Sequence, residues 1–126
     1  MLQARMNHPV MVVPEAMKAL QSLGDLTKEG LPEKLLELVH LRASQINGCS
    51  ACVAYFTDSE RAALALTEAL TRISDRAEPI SDAVWGAADK HFDEQELAAL
   101  ILAIANINVW NRLNVAVRQP AGVWKG

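Results

Sequence analysis

Apolar residues along this chain recur every three or four positions, which is the spacing of one face of an α-helix. Pro14 opens the first such pattern, Gly24 is expected to end it, and the polar stretch 24–30 is predicted to form a loop. Pro32 lies in the first turn of a second pattern, which the pair Asn47-Gly48 ends. The apolar positions that define these two helices are Met17, Leu20, Leu23, Leu35, Leu38, Val39 and Ile46.

Two capping signals begin helices in the second half of the chain. Thr57 with Glu60, and Asp93 with Glu96, each have the form of a capping box, in which the first side chain and the fourth satisfy each other's backbone N–H groups. An apolar helical pattern follows each box. The chain is therefore expected to start a new helix at both places.

The remaining helix boundaries follow from proline positions. The pair Glu78-Pro79 is predicted to break the helix that starts near Thr57. Residues 82–90 are predicted to form a further helix, and the last helix is predicted to stop before Pro120. No segment shows the sustained alternation of a β-strand. The pattern predicts an all-α protein with five or six helices in a single domain that spans residues 1–126.

Composition and charge narrow the class of protein. The 126 residues suit one domain with one core. The chain is 51% hydrophobic but only 5% aromatic, and its net charge of −3 includes no basic block, which argues against a nucleic-acid partner. Its longest apolar run, 97–107, is shorter than a bilayer span, and the N-terminus lacks a signal-peptide pattern. We therefore expect no membrane partner and a cytoplasmic location.

The last predicted helix carries an unusual series of asparagines among apolar residues: Asn106, Asn108, Asn111 and Asn114. Buried amides are usually satisfied, so the favoured interpretation is a polar stripe that hydrogen-bonds loops or a neighbouring subunit. A direct role in substrate binding is the alternative.

Cys49 and Cys52 are the only cysteines, and they lie three positions apart at an expected helix start. At that spacing they share a helix face within disulfide range, and the free N–H groups of a helix N-terminus stabilise a thiolate. A redox pair is favoured, with two small core residues as the second interpretation. A metal site is the weakest, because a structural zinc needs four ligands and His8, His40 and His91 are scattered.

Glu37 lies twelve residues before Cys49 on the preceding helix. A helix, a tight turn and a second helix can fold its carboxylate back against the cysteines. Partial burial on this leucine-rich helix would raise its pKa and suit it to carry protons. The alternative is a solvated glutamate paired with Lys34, three residues earlier.

The chain resembles the alkylhydroperoxidase AhpD-like branch of the carboxymuconolactone decarboxylase family in one motif. This motif consists of Glu37, eleven residues and then Cys49-x-x-Cys52, within which the chain reads LRASQINGCSAC. Three flanking stretches also resemble that family's helices, so the resemblance covers nearly the whole chain. They are ARMNHPVMVVPEAMKALQSLG, YFTDSERAALALTEALT and LAIANINVWNRLNVAVRQP. It implies an AhpD-like helical bundle that assembles as a homo-trimer or homo-hexamer. It also implies thiol-dependent reduction of a small-molecule peroxide, without a cofactor.

The resemblance assigns a role to each residue of the motif. Cys52 is the peroxidatic cysteine that becomes a sulfenic acid, Cys49 is the resolving cysteine that condenses with it to a disulfide, and Glu37 belongs to the proton relay. An external dithiol, of the lipoyl type, then reduces the disulfide. A decarboxylase-like enzyme that acts on a cyclic lactone acid and a non-catalytic scaffold with the same fold are the alternatives.

The chain departs from the family motif just after the cysteines. The motif continues with a histidine four residues after the second cysteine, and this chain has Phe56 there. In similar sequences a couple of dozen residues separate the cysteines from the tract that begins here at Tyr55. We therefore predict a missing segment between Ala54 and Tyr55, and we expect the chain without that histidine to be impaired.

Overall fold

The structure is a computed structural model, and it describes residues 4–46, 57–75 and 77–118. These residues form six α-helices and one short 3₁₀ turn, with no strand among them. The prediction of an all-α fold is therefore confirmed for the described part of the chain. The helices are α1 (Pro9–Val12), α2 (Pro14–Gly30), α3 (Glu33–Ile46), α4 (Asp58–Thr71), α5 (Asp82–His91) and α6 (Glu94–Val117), and the 3₁₀ turn is Ile73–Asp75.

Helix α6 is the central element of the bundle. It packs against α2, α3 and α4, while α3 also packs against α4, and α4 against α5. Leu100, Ala103 and Ile104 of α6 are almost completely buried in the core that these helices share. By length and composition alone α6 could also cross a membrane. That test is weak evidence for a single helix, because core helices pass it too.

Helix α2 is longer than the sequence pattern predicts. The expected loop over 24–30 is wrong, because α2 continues through Gly24 to Gly30. Both glycines allow α6 to approach closely: a Cβ on Gly30 would lie 2.9 Å from the Cβ of Ala99, and one on Gly24 would lie 3.4 Å from the side-chain nitrogen of Asn106. The glycines therefore mark a contact between helices and not the end of one.

Both predicted capping boxes are confirmed. The Thr57 hydroxyl accepts a hydrogen bond from the Glu60 backbone N–H (3.2 Å), and the Thr57 backbone N–H donates to the Glu60 carboxylate (3.0 Å). The same reciprocal pair joins Asp93 and Glu96. The two hydrogen bonds of each box fix the first turns of α4 and α6.

Other boundaries differ from the predicted ones by a few residues or were not predicted. Helix α4 ends at Thr71, well before the pair Glu78-Pro79. Helix α5 agrees with the prediction to within one residue, and α6 ends at Val117, where Arg118 adopts a left-handed conformation (φ 56°). The four-residue helix α1 was not predicted, because it is too short to show a period.

The N-terminal segment is attached to α6 through His8. The His8 Nδ1 accepts a hydrogen bond from the Val10 backbone N–H (3.3 Å), so the neutral ring carries its proton on Nε2 and donates it to the Asn114 Oδ1 (2.7 Å). The His8 ring is buried, and its centroid lies 5.8 Å from that of Trp110. The backbone N–H of Arg5 also donates to the carbonyl of Val117 at 2.7 Å.

The structural interpretation of the asparagine series is confirmed at two positions. Asn114 bonds His8, and the Asn108 side chain donates to the Thr71 hydroxyl at 3.0 Å, which connects α6 to the end of α4. Asn108 is buried. These amides therefore close contacts between segments of the same chain, as buried amides usually do.

Removing the N-cap of α4 is expected to destabilise the fold. Thr57→Ala loses the hydrogen bond to the Glu60 N–H, and the free energy of unfolding should fall by about 1 kcal/mol. Thr57→Ser is the matched control, because it keeps the hydroxyl, and it should remain within a few tenths of the wild type. Urea denaturation measures both. Equal stability of the alanine and serine variants would contradict the role of the cap.

Candidate functional site

Helix α3 carries the one predicted site residue that the structure describes. Its inner face is apolar and buried, through Leu35, Leu36, Val39 and Ala43. Glu37 lies outside this face and is exposed. The predicted partial burial of the carboxylate is therefore wrong. The carboxylate is solvated, as the alternative expected, but Lys34 contacts Glu60 at 3.2 Å and not Glu37.

Glu37 lines a cleft of about 450 Å³ that residues of α2 and α3 form together. Four of the lining residues lie on α3 at positions i, i+3, i+4 and i+7, which is one face of a helix. The described lining residues are Lys28, Glu33, Leu36, Glu37 and His40. The cleft thus combines two carboxylates, an imidazole and an ammonium group beside an apolar side chain.

His40 is the half-buried member of this group. Burial, and secondarily the positive charge of Lys28, lower the pKa of His40 below its ordinary value of 6.5. The imidazole is therefore neutral at pH 7 and able to accept a proton. The sequence analysis treated His40 as one of three scattered histidines. The signal that could have singled it out is its position three residues after Glu37, on the same helix face.

Two ion pairs hold α3 against α4 next to the site. Arg42 Nη2 lies 3.1 Å from Glu68 Oε2, and Lys34 Nζ lies 3.2 Å from Glu60 Oε2. Lys34 is largely exposed, so its pair contributes little to stability. The Arg42 pair is better shielded, since the Arg42 side chain is only 16% exposed. It stabilises the last turns of α3, from which the cysteine segment emerges.

Cys49, Cys52, Phe56 and the junction after Ala54 lie outside the described residues. Cys49 follows the last residue of α3, Ile46, by only three positions. Within the ranges that the structure describes, no group of histidine, cysteine, aspartate and glutamate side chains is arranged to hold a metal ion. The assigned roles of both cysteines and of Glu37 remain predictions.

Known proteins are similar to this chain in sequence and fold. The family model described as carboxymuconolactone decarboxylase family matches residues 14–105. A protein of Bacillus subtilis (strain 168), "Uncharacterized protein YdfG", is 28% identical over 137 aligned residues, which cover 87% of this chain and 92% of that protein. A crystal structure of a protein of unknown function from Agrobacterium tumefaciens, described as a candidate antioxidant defence protein AhpD, superposes with a TM-score of 0.82. It is 28% identical, and the match covers 96% of this chain and 99% of that one.

The helical bundle, and a sequence match that includes α2 to α5 and half of α6, define the class of protein. The chain belongs to the carboxymuconolactone decarboxylase family. Its fold is similar to that of a protein of unknown function described as a candidate AhpD, which agrees with the resemblance found in the sequence.

The lowered pKa of His40 predicts how stability depends on pH. Because folding favours the neutral ring, His40 contributes stability that is fully present above pH 6.5 and is lost as the pH falls through the lowered folded-state pKa. His40→Gln should therefore lose less stability than the wild type between pH 7 and pH 5, measured by urea denaturation.

Lys28→Gln provides a graded comparison for this prediction. It removes only the smaller, coulombic cause of the lowered pKa, so its loss of stability on acidification should lie between those of the wild type and His40→Gln. The same loss in all three proteins would contradict a lowered pKa at His40.

Proposed function

We propose that the protein is a thiol-dependent hydroperoxide reductase that uses Cys49 and Cys52 as a redox pair. One observation carries the proposal: Glu37 lines a cleft on α3, and the chain continues from the end of that helix directly into Cys49-x-x-Cys52. The fold similarity to a protein described as a candidate antioxidant defence protein supports the same class of reaction.

The reaction has two steps within the chain. The Cys52 thiolate attacks one peroxide oxygen, the O–O bond breaks, Cys52 becomes a sulfenic acid, and the other oxygen leaves as an alcohol after it takes up a proton. The Cys49 thiol then attacks the Cys52 sulfur, a disulfide forms and water leaves. Glu37 relays the protons that these steps release and consume.

An external reductant completes the cycle. A dithiol of the lipoyl type reduces the Cys49–Cys52 disulfide by thiol–disulfide exchange and is itself oxidised to a disulfide. The substrate is a small-molecule peroxide, and Leu36 gives the cleft an apolar wall that suits an alkyl group. The proposed location is the cytoplasm, whose reducing conditions would supply the dithiol.

The family also contains the main alternative. The family is named for carboxymuconolactone decarboxylase, so a decarboxylase-like reaction on a cyclic lactone acid is the second candidate. The cysteine pair favours the peroxide reaction, because a decarboxylation transfers no electrons and needs no dithiol. A scaffold that keeps only the fold is the third candidate.

The departure at Phe56 bears on the activity of this chain. The alignment with the Bacillus subtilis relative spans 137 positions, more than the 126 residues of this chain, so it includes residues of the relative without a counterpart here. This length difference agrees with a segment missing from the chain, for which we propose the junction between Ala54 and Tyr55 on the sequence pattern alone. Without the motif histidine, the thiol site of this chain is expected to be impaired.

The outer face of α6 supports a homo-oligomer. Ala98, Leu102, Ala105 and Val109 are all exposed and follow one another at spacings of four, three and four residues. This is the heptad spacing of a helix that packs along another helix. We call these four residues the α6 stripe, and we propose that it packs against other copies of the chain in a trimer or hexamer.

The peroxidase proposal predicts a strict requirement for Cys52. The protein should consume an organic hydroperoxide only when a dithiol is present, and Cys52→Ser should abolish turnover because it removes the attacking sulfur. Peroxide consumption in a coupled assay is the measurement. Cys49→Ser is the matched comparison, because it should allow one oxidation of Cys52 to the sulfenic acid but no dithiol-supported cycle.

Turnover that survives Cys52→Ser would refute the assigned role of this residue. Activity on a lactone acid that persists after both cysteines are replaced would favour the decarboxylase-like alternative. Thiols in the folded protein that do not react with peroxide would favour the scaffold.

The oligomer proposal predicts that a charge in the α6 stripe disrupts assembly. Leu102→Glu places a carboxylate at the middle of the stripe, and the mass measured by light scattering should fall from a multiple of 13.7 kDa to that of the monomer. Leu26→Glu changes an exposed leucine of α2 outside the stripe and is the control. A monomeric wild type would contradict the proposal.

A further inference from the structure

The outer face of α6 carries a charged residue at each end of the apolar α6 stripe. Glu94 precedes the stripe and Arg112 follows it, and both side chains are exposed. The two residues are eighteen positions apart, which is about five turns of an α-helix, so they lie on the same side of α6. Neither forms an ion pair with any residue that the structure describes.

The Arg112 side chain is held in place by its own helix. Its Nη1 donates to the backbone carbonyl of Asn108 at 3.3 Å and to the Asn108 Oδ1 at 3.2 Å. A guanidinium group has five N–H donors, so further donors of Arg112 remain for a carboxylate outside the helix. The α6 stripe therefore has a fixed positive charge at one end and the negative charge of Glu94 at the other.

The α6 stripe alternates small and large side chains: Ala98, Leu102, Ala105 and Val109. Two copies pack closely where a small residue of one faces a large residue of the other. A parallel pair related by a twofold axis brings each residue opposite itself, so alanine faces alanine and leucine faces leucine. An antiparallel pair centred between Leu102 and Ala105 instead places these two residues opposite each other. Val109 then lies opposite Ala98, and every layer holds one small and one large side chain.

The charges at the two ends favour the same direction. In the antiparallel pair with that centre, Arg112 lies within about 1.5 Å, measured along the helix axis, of the level of Glu94 in the other copy. The twofold axis repeats this ion pair at the other end. In the parallel pair Arg112 would face Arg112 and Glu94 would face Glu94, and like charges repel. Exposed ion pairs are weak, so these charges select the direction of the helices and the apolar stripe provides most of the binding.

We propose that the α6 stripe is a twofold interface between two copies of the chain, in which the helices are antiparallel and Arg112 of each copy pairs with Glu94 of the other. The proposal rests on the proposed homo-oligomer and is independent of the thiol reaction. A trimer with threefold symmetry alone contains no twofold axis. Of the trimer and the hexamer, the hexamer is therefore the assembly that contains this contact, as three such pairs.

Introduced cysteines distinguish the two directions of the helices. In the full chain with Cys49→Ser and Cys52→Ser, mild oxidation should link the double variant Ala98→Cys, Val109→Cys into a dimer of twice 13.7 kDa on a non-reducing gel. Neither single variant should link. In the antiparallel pair each introduced cysteine lies about 16 Å along the axis from its own copy, and a disulfide spans at most about 7 Å between Cα atoms.

Reversing the charges tests the interface without cysteines. Arg112→Glu brings two carboxylates together at each end of the pair and should weaken association about tenfold, and Glu94→Arg should do the same with two guanidinium groups. The variant with both changes should recover most of the loss, because it restores the pair in reverse. Light scattering over a range of concentrations measures association. Lys18→Glu reverses an exposed charge on α2 and is the control, which should associate as the wild type does.

The outcomes separate the orientation of the helices from the existence of the assembly. Linking in the double cysteine variant alone supports the proposal. Linking in both single variants indicates parallel helices, and it overturns the orientation while the homo-oligomer stands. An oligomer in which none of these variants links has its contact elsewhere, which overturns the interface. A monomeric wild type overturns the interface together with the homo-oligomer, and peroxide consumption still decides the reductase function.

Discussion

The burial of one face of α3 is the constraint on which the candidate site depends. Val39 and Ala43 are completely buried, and Leu35 and Leu36 nearly so, against a core formed with α4 and α6. Each large apolar side chain contributes about 1.5–3 kcal/mol by leaving water. A rotation of α3 by one position would expose part of this face and bury Glu37 in its place, which is costly for a carboxylate. The core therefore fixes which side of α3 presents its acid–base groups.

The length of α2 determines the other wall of the cleft. Had α2 ended at Gly24, as the sequence suggested, Lys28 would lie on a loop. The helix continues past Gly24 to Gly30, which lies against α6 where a side chain would collide with Ala99, and the buried Thr27 hydroxyl donates to the Gly24 carbonyl at 2.7 Å. The continued helix carries Lys28 to the cleft, where its charge acts on His40. The packing of one helix pair thus adds to the effect of burial, which is the larger cause of the lowered pKa of His40 on a third helix.

Local signals made most of the fold predictable, and contacts between distant segments account for the rest. The capping boxes at Thr57 and Asp93 involve residues three apart, so the sequence contains all the information they need. A glycine is ambiguous in sequence, since it can end a helix or admit a neighbouring one, and only the position of α6 decides between the two. The residues of the candidate site likewise include some that the sequence could identify and some that only the packing of the helices reveals. Glu37 could be selected by its fixed distance from the cysteines, and the spacing of His40 from Glu37 shows that they share a helix face. The place of Lys28 beside them depends on how α2 packs, which no linear spacing encodes.

Helix α6 is apolar on most of its surface. Either a lipid bilayer or the surfaces of other helices could cover such a helix. Its length and composition would suit a bilayer, but two of its amides argue against one: the buried Asn108 bonds Thr71, and the partly buried Asn114 bonds His8. Hydrocarbon offers no partners for polar groups, so moving α6 into lipid would break these bonds without replacement. The α6 stripe, with its alanines alternating with larger residues at heptad spacing, fits the surface of another helix better than it fits disordered lipid chains. If the proposed assembly forms, one helix serves both the core of its own chain and the contact between copies, and apolar residues are needed on two opposite faces.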